Sequence, residues 1–154
     1  MNKYISIISL IIFIGGGSAL AQTDYDCFIG DNNGAIHFYE RQNSGAGSMS
    51  FSAVTGSDNP LNGVSVGTRA APAFVDIDDD GDYDCFIGHA GGGIRYFKNT
   101  NNSSSATFVE WDGNAVSADP NPFYDVDVGT RSAPAFVDID DDGDYDCLIG
   151  EVAG

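Results

Sequence analysis

Two nine-residue strings carry the densest chemistry in this chain: Asp76-Ile-Asp-Asp-Asp-Gly-Asp-Tyr-Asp84 and its unaltered copy, Asp138 to Asp146. Each puts carboxylates at positions 1, 3, 5 and 9, with glycine at position 6 where the backbone must turn sharply. Hard oxygens at that spacing suit Ca²⁺, which takes six to eight oxygen ligands at roughly 2.3–2.6 Å. Without a cation, that many like charges within nine residues repel one another. The candidate ligands are Asp76, Asp78, Asp80, Asp82 and Asp84 in the first string, and Asp138, Asp140, Asp142, Asp144 and Asp146 in the second.

The acidity is local. The 154-residue chain has a formal net charge of −17, and 14 of its 23 acids lie in the two strings or at Asp24 and Asp26, a third, partial copy. Only six Lys and Arg are present, so a phosphate backbone would be repelled and nucleic acid is excluded as a partner. A lone acidic run is usually a solvated face; residue-for-residue recurrence argues against that here.

Repetition also sets the elements that must position the strings. Val64–Gly88 and Val126–Gly150 are identical at 22 of 25 positions, offset by 62 residues, and Tyr25–Gly30 resembles Tyr83–Gly88 at an offset of 58. Aromatic and β-branched runs punctuated by Gly, Asn and Asp predict four short strands per unit: Ala73–Ile77, Asp84–Gly88, Gly93–Lys98 and Ala106–Trp111. No useful helical periodicity occurs beyond residue 21. The fold class is all-β, and a four-stranded antiparallel sheet every 60 or so residues is a propeller blade. An EF-hand fails twice, because position 12 of the first loop is Ile87 rather than Glu and the flanks alternate as strands.

Residues 1–21 read as a secretory signal peptide: Lys3, then apolar Ile5–Ile14, then Ala19-Leu20-Ala21 before Gln22. The apolar run is too short for a transmembrane helix, so no membrane span is expected. Export leads to surroundings rich in Ca²⁺. Cys27, Cys85 and Cys147 share one context, Asp-Tyr-Asp-Cys-(Phe/Leu)-Ile-Gly. They are expected as buried free thiols, because strands in neighbouring units hold Cα atoms beyond the roughly 7 Å a disulfide spans.

The repeated Gly-Thr-Arg-(Ala/Ser)-Ala-Pro-Ala-Phe-Val, the Asp loop and the following Asp-Cys-(Phe/Leu)-Ile-Gly resemble the FG-GAP/VCBS repeat of integrin α-subunits and many secreted bacterial proteins. The resemblance covers residues 24–154. It implies a Ca²⁺-holding loop between the first two strands of each blade. Asp76, Asp78, Asp80 and Asp84 would ligate by side chain and Asp82 by its backbone carbonyl; Asp138, Asp140, Asp142, Asp144 and Asp146 would do the same. Asp26 matches only the ninth position. The expected organisation is a partial propeller over 22–154, with an incomplete blade at 24–63, a blade at 64–125 and the start of another at 126–154. In that reading the first blade lacks its innermost strand, and the remaining blades come from a longer chain or from other copies.

No nucleophile elbow, Cys/His pair or phosphate loop appears. His37 and His89 occupy non-equivalent positions and read as ordinary strand and turn residues. Arg69 and Arg131 recur before each Ala-Pro and suit a contact between blades. The expected function is non-catalytic: a secreted or cell-surface calcium-binding module for adhesion or for a glycan or protein ligand, with structural calcium. The alternative is an accessory propeller of a larger secreted carbohydrate-active enzyme.

Overall fold

A computed structural model describes residues 8–13, 24–43, 49–101, 106–112 and 121–152. Three antiparallel sheets account for it. The first is β1 (Ile8–Phe13), β2 (Asp24–Gly30), β3 (Ile36–Asn43) and β4 (Met49–Val54); the second is β5 (Ala71–Val75), β6 (Asp84–Gly88), β7 (Ile94–Asn99) and β8 (Phe108–Trp111); the third is β9 (Ala133–Val137) with β10 (Asp146–Gly150). The described residues contain no α-helix, only one 3₁₀ turn at Gly56–Asp58. Among them no helix is long and apolar enough to cross a membrane.

The sheets repeat one another in register. Phe74 faces Cys85 across β5–β6, and Phe136 faces Cys147 across β9–β10. In the first sheet Leu10 faces Cys27. The first sheet thus has four strands, and β1, which pairs antiparallel with β2, falls within the segment read as a leader. An Ile-rich run of this kind fits a pleated strand as well as an apolar leader core. The Ala19-Leu20-Ala21 cleavage motif lies outside the described residues.

Neighbouring sheets join by a seam that is the same both times. At the first, Ala70 N–H donates to Asp31 O at 3.1 Å and Asn59 Nδ2 donates to Ile36 O at 3.0 Å. At the second, Ser132 N–H donates to His89 O at 3.1 Å and Asn121 Nδ2 to Ile94 O at 2.9 Å. The phenylalanine on the first strand of one sheet lies on the sheet before it: Phe74 is 5.0 Å from Phe28, and Phe136 is 4.9 Å from Phe86, between ring centres. Two apolar clusters result, one around Phe28, Leu61 and Ile87, the other around Val75, Phe86 and Tyr96. Each fully buried aromatic contributes about 1.5–3 kcal/mol by leaving water. Cys85 lies buried in the first cluster as a free thiol, pushed well above its usual pKa by burial; Cys27 and Cys147 are also free but only half-buried.

Glycine ends β6 because the seam leaves no room for anything larger. A Cβ on Gly88 would overlap the Ser132 carbonyl, whereas one on Gly150 would meet only Ala133 at ordinary contact distance, 3.8 Å. Gly88→Ala should therefore destabilise the chain by about 1–3 kcal/mol, the usual range for overpacking, while Gly150→Ala stays near neutral. Denaturant unfolding of the two variants checks this, and equal losses would show that the seam is not the cause.

Candidate metal centre

Each Asp loop folds as a self-capped turn. Asp76 Oδ1 and Oδ2 accept the N–H groups of Asp80 (3.1 Å) and Gly81 (3.0 Å), and Asp80 Oδ1 accepts that of Asp82 at 3.0 Å. The second loop repeats this, with Asp138 taking Asp142 (3.2 Å) and Gly143 (3.0 Å), and Asp142 taking Asp144 at 2.9 Å. Asp79 and Asp141 sit at φ of 56° and 58°, Gly81 and Gly143 at 91° and 99°. The left-handed region is open to Gly and tolerable for Asp. That requirement accounts for the composition of the turn tip.

The turn gathers three carboxylates in each copy. Oxygens of Asp76, Asp78 and Asp80 lie within 4.8 Å of one another, as do those of Asp138, Asp140 and Asp142. Oxygens bound to one Ca²⁺ at roughly 2.3–2.6 Å cannot be more than about 5 Å apart, so the donor set and its spacing fit that ion. All donors are oxygen, which suits Ca²⁺ better than a softer metal.

The other proposed ligands stand outside these triads. Asp84 is buried, and its carboxylate accepts the Tyr96 hydroxyl at 2.8 Å and the Asn99 N–H at 2.7 Å. Strand alternation directs it to the face that the third sheet covers. Its counterpart Asp26 likewise accepts the Arg41 N–H at 2.9 Å. Asp146 accepts the Ile139 N–H at 3.1 Å. Asp82 and Asp144 contribute backbone N–H groups to the turn, and neither carboxylate joins a triad.

Electrostatics differ along the loop. Burial pushes the Asp84 carboxyl up to about 6, against its two hydrogen bonds, with the charges of Asp78 and Asp80 adding to the rise. Asp82 is raised by slight burial and by the charges of Asp80, Asp76 and Asp78. Asp78 is lowered, chiefly by its hydrogen bond from Lys98. That Lys98 ammonium pairs with Asp78 and lies 5.3 Å over the Trp111 ring. Lys98 was not a sequence candidate. A signal exists nonetheless: the matching registers Cys27–Tyr39 and Cys85–Phe97 make Glu40 its counterpart in the first sheet. A cation stands where an acidic loop precedes, an acid where none does.

The remaining candidates do not converge. His37 Nε2 is 3.1 Å from Asp31 Oδ2, while the His89 ring accepts the Gly91 N–H at 3.1 Å in the next unit's turn. Arg69 and Arg131 both have φ of 60°, and their N–H groups donate at 3.3 Å to Asn32 O and Ala90 O of the preceding unit. Their shared seam position is thus set by the backbone. Trp111 packs edge-on against Tyr96 at 6.3 Å, and Tyr124 is exposed.

Comparison with known proteins yields no match to a family model, a curated protein or a solved structure.

A raised carboxyl pKa reverses the usual acid dependence. The protonated Asp84 favours the folded state fully below its ordinary value of 3.8, and that contribution is lost as pH rises through about 6. Asp84→Asn keeps an acceptor for Asn99 and supplies a donor toward Tyr96. In chelator, the variant should gain stability relative to wild type between pH 4 and 6, then hold a constant difference at higher pH. Paired denaturant titrations across that window measure it, and a pH-independent difference would refute the burial of an ionising group.

Proposed function

We propose that this chain is a calcium-stabilised propeller module of the FG-GAP/VCBS type, secreted or displayed at the cell surface, that binds a glycan or protein ligand and carries no catalytic centre. The observation that carries this reading is the pair of identical Asp triads, each on the hairpin joining the first two strands of a sheet. Further support comes from the in-register repetition of the sheets and from the adjacency of β5 and β9, each the first strand of its sheet, to the sheet before it. Export would expose the loops to Ca²⁺. The remaining blades would come from a longer chain or from other copies.

In this reading calcium is structural. It offsets the repulsion within each triad and fixes the hairpin, leaving the loops along one rim of a rigid scaffold free to meet a ligand. The six basic residues are too few for an anionic polymer, so a neutral glycan or a basic protein surface fits the charge best.

An ion held at 100 times its dissociation constant adds about 2.7 kcal/mol by mass action, worth roughly 2–4 °C per kcal/mol in a domain of this size. Chelation should lower the melting temperature accordingly. Asp80→Ala and Asp142→Ala should each shrink the calcium-dependent part of the shift. An unchanged melting curve in excess chelator would overturn the proposal.

A further inference from the structure

The turn after β6 differs from its counterpart after β2 in the group that holds it. After β2, Asp31 Oδ1 accepts the N–H groups of Asn33 (2.8 Å) and Ala35 (3.0 Å). After β6 the matching residue is the half-buried His89, and its Nδ1 accepts the Gly91 N–H at 3.1 Å. An amide N–H can only donate, so this bond needs a ring nitrogen without a proton. A carboxylate meets that condition at any pH above about 4, whereas a histidine meets it only while neutral. The turn is also cut to the ring. Gly91-Gly92-Gly93 replaces Asn33-Gly34-Ala35, and a Cβ on Gly91 or Gly93 would lie only 3.0 Å or 3.2 Å from the imidazole.

The same turn carries the polar half of the second seam. Gly92 O, Ala90 O and His89 O accept the N–H groups of Val128 (3.1 Å), Arg131 (3.3 Å) and Ser132 (3.1 Å). The Ser132 hydroxyl accepts the His89 N–H at 2.9 Å and donates to Gly93 O at 2.6 Å. At the first seam Val66, Arg69 and Ala70 donate to Gly34, Asn32 and Asp31 in the same order, and Ala70 has no hydroxyl. The stretches 64–88 and 126–150 differ at three positions: Ser65/Asp127, Ala70/Ser132 and Phe86/Leu148. Two of these meet the His89 turn, Ser132 through its hydrogen bonds and Asp127 through a carboxylate that leaves no room for a Cβ on Gly92. Where the turn residue changes, its partners across the seam change with it.

We propose that His89 makes the second seam a pH-sensitive joint. While neutral, the imidazole holds the 89–93 turn in the shape that receives residues 128–132. Once protonated, it cannot accept the Gly91 N–H, and the third sheet loosens from the second. The first seam, held by Asp31, stays closed. None of this depends on the metal reading. Among the described residues the charged groups facing the ring are Arg95, on β7, and Asp127, across the seam. Burial first, then Arg95, holds the ring below its ordinary value of 6.5, and Asp127 opposes them. The fold thus favours the neutral ring, so its contribution is whole above 6.5 and is lost as pH falls further.

Hydrogen exchange of the full chain tests this, read on peptides over residues 64–70 and 126–132 in constant excess calcium. Measurements at about pH 7.5 and about pH 5 bracket the histidine range. The two stretches are nearly alike in sequence, so their intrinsic exchange rates nearly cancel within one molecule. On acidification, wild type should lose protection over 126–132 relative to 64–70 by roughly two- to tenfold, the change that one hydrogen bond is worth. His89→Asn supplies an acceptor that does not titrate, as Asp31 does at the first seam, and should hold that ratio constant between the two pH values. Should the variant fail to fold, the wild-type ratio decides alone. A wild-type ratio that does not change with pH overturns the proposal. So does a folded His89→Asn chain that shows the wild-type change.

Discussion

Like charge held at a tight turn is the constraint around which each repeat is built. Three carboxylates converge within 4.8 Å at Asp76–Asp80, and again at Asp138–Asp142. The turn accepts them only because its own N–H groups point inward and two of its residues adopt left-handed backbone. Those hydrogen bonds satisfy the first Asp of each loop and leave the third and fifth positions with excess negative charge. At the first loop Lys98 answers part of it through Asp78. A divalent cation would answer two of the three charges in each triad.

What the turn fixes, the sheets pass on. The hairpin sets β5 against β6 and β9 against β10, and that register places Phe74 and Phe136 where they can cover the previous sheet. Gly88 then admits the backbone of the following unit at the close of the hairpin. Loop, register and seam are therefore one device. Asp84 belongs to it as well: the residue that spacing alone makes a ninth-position ligand holds the Asn99 N–H and the Tyr96 hydroxyl inside the sheet.

Much of this was legible in the sequence, because repetition converts one local reading into several. The strands over Asp84–Gly88, Ile94–Asn99 and Phe108–Trp111 follow from aromatic and β-branched runs between Gly and Asp. β5 begins at Ala71, earlier than expected, and includes Pro72. A proline without an N–H argues against a central strand, but β5 pairs on one side only within its sheet, and an edge accepts it. β1 was hidden by its own composition, since an apolar run near the N-terminus satisfies a leader and a strand equally. The role of Asp84 could not be read either, because the groups that hold it, the Tyr96 hydroxyl and the Asn99 N–H, come from β7 and meet it only once the sheet has formed. Lys98 needed the cross-strand register before its partner became visible.

Calcium titration of the metal-free chain by calorimetry tests the central claim most directly. Two triads predict two ions per chain, bound with unequal affinity, the weaker at the loop where the Lys98 ammonium already engages Asp78. Removing the second triad's anchor, with Asp138→Ala, should leave one ion at the weaker site. Absence of binding heat at any calcium concentration, or two ions still bound by the Asp138→Ala chain, would contradict the account.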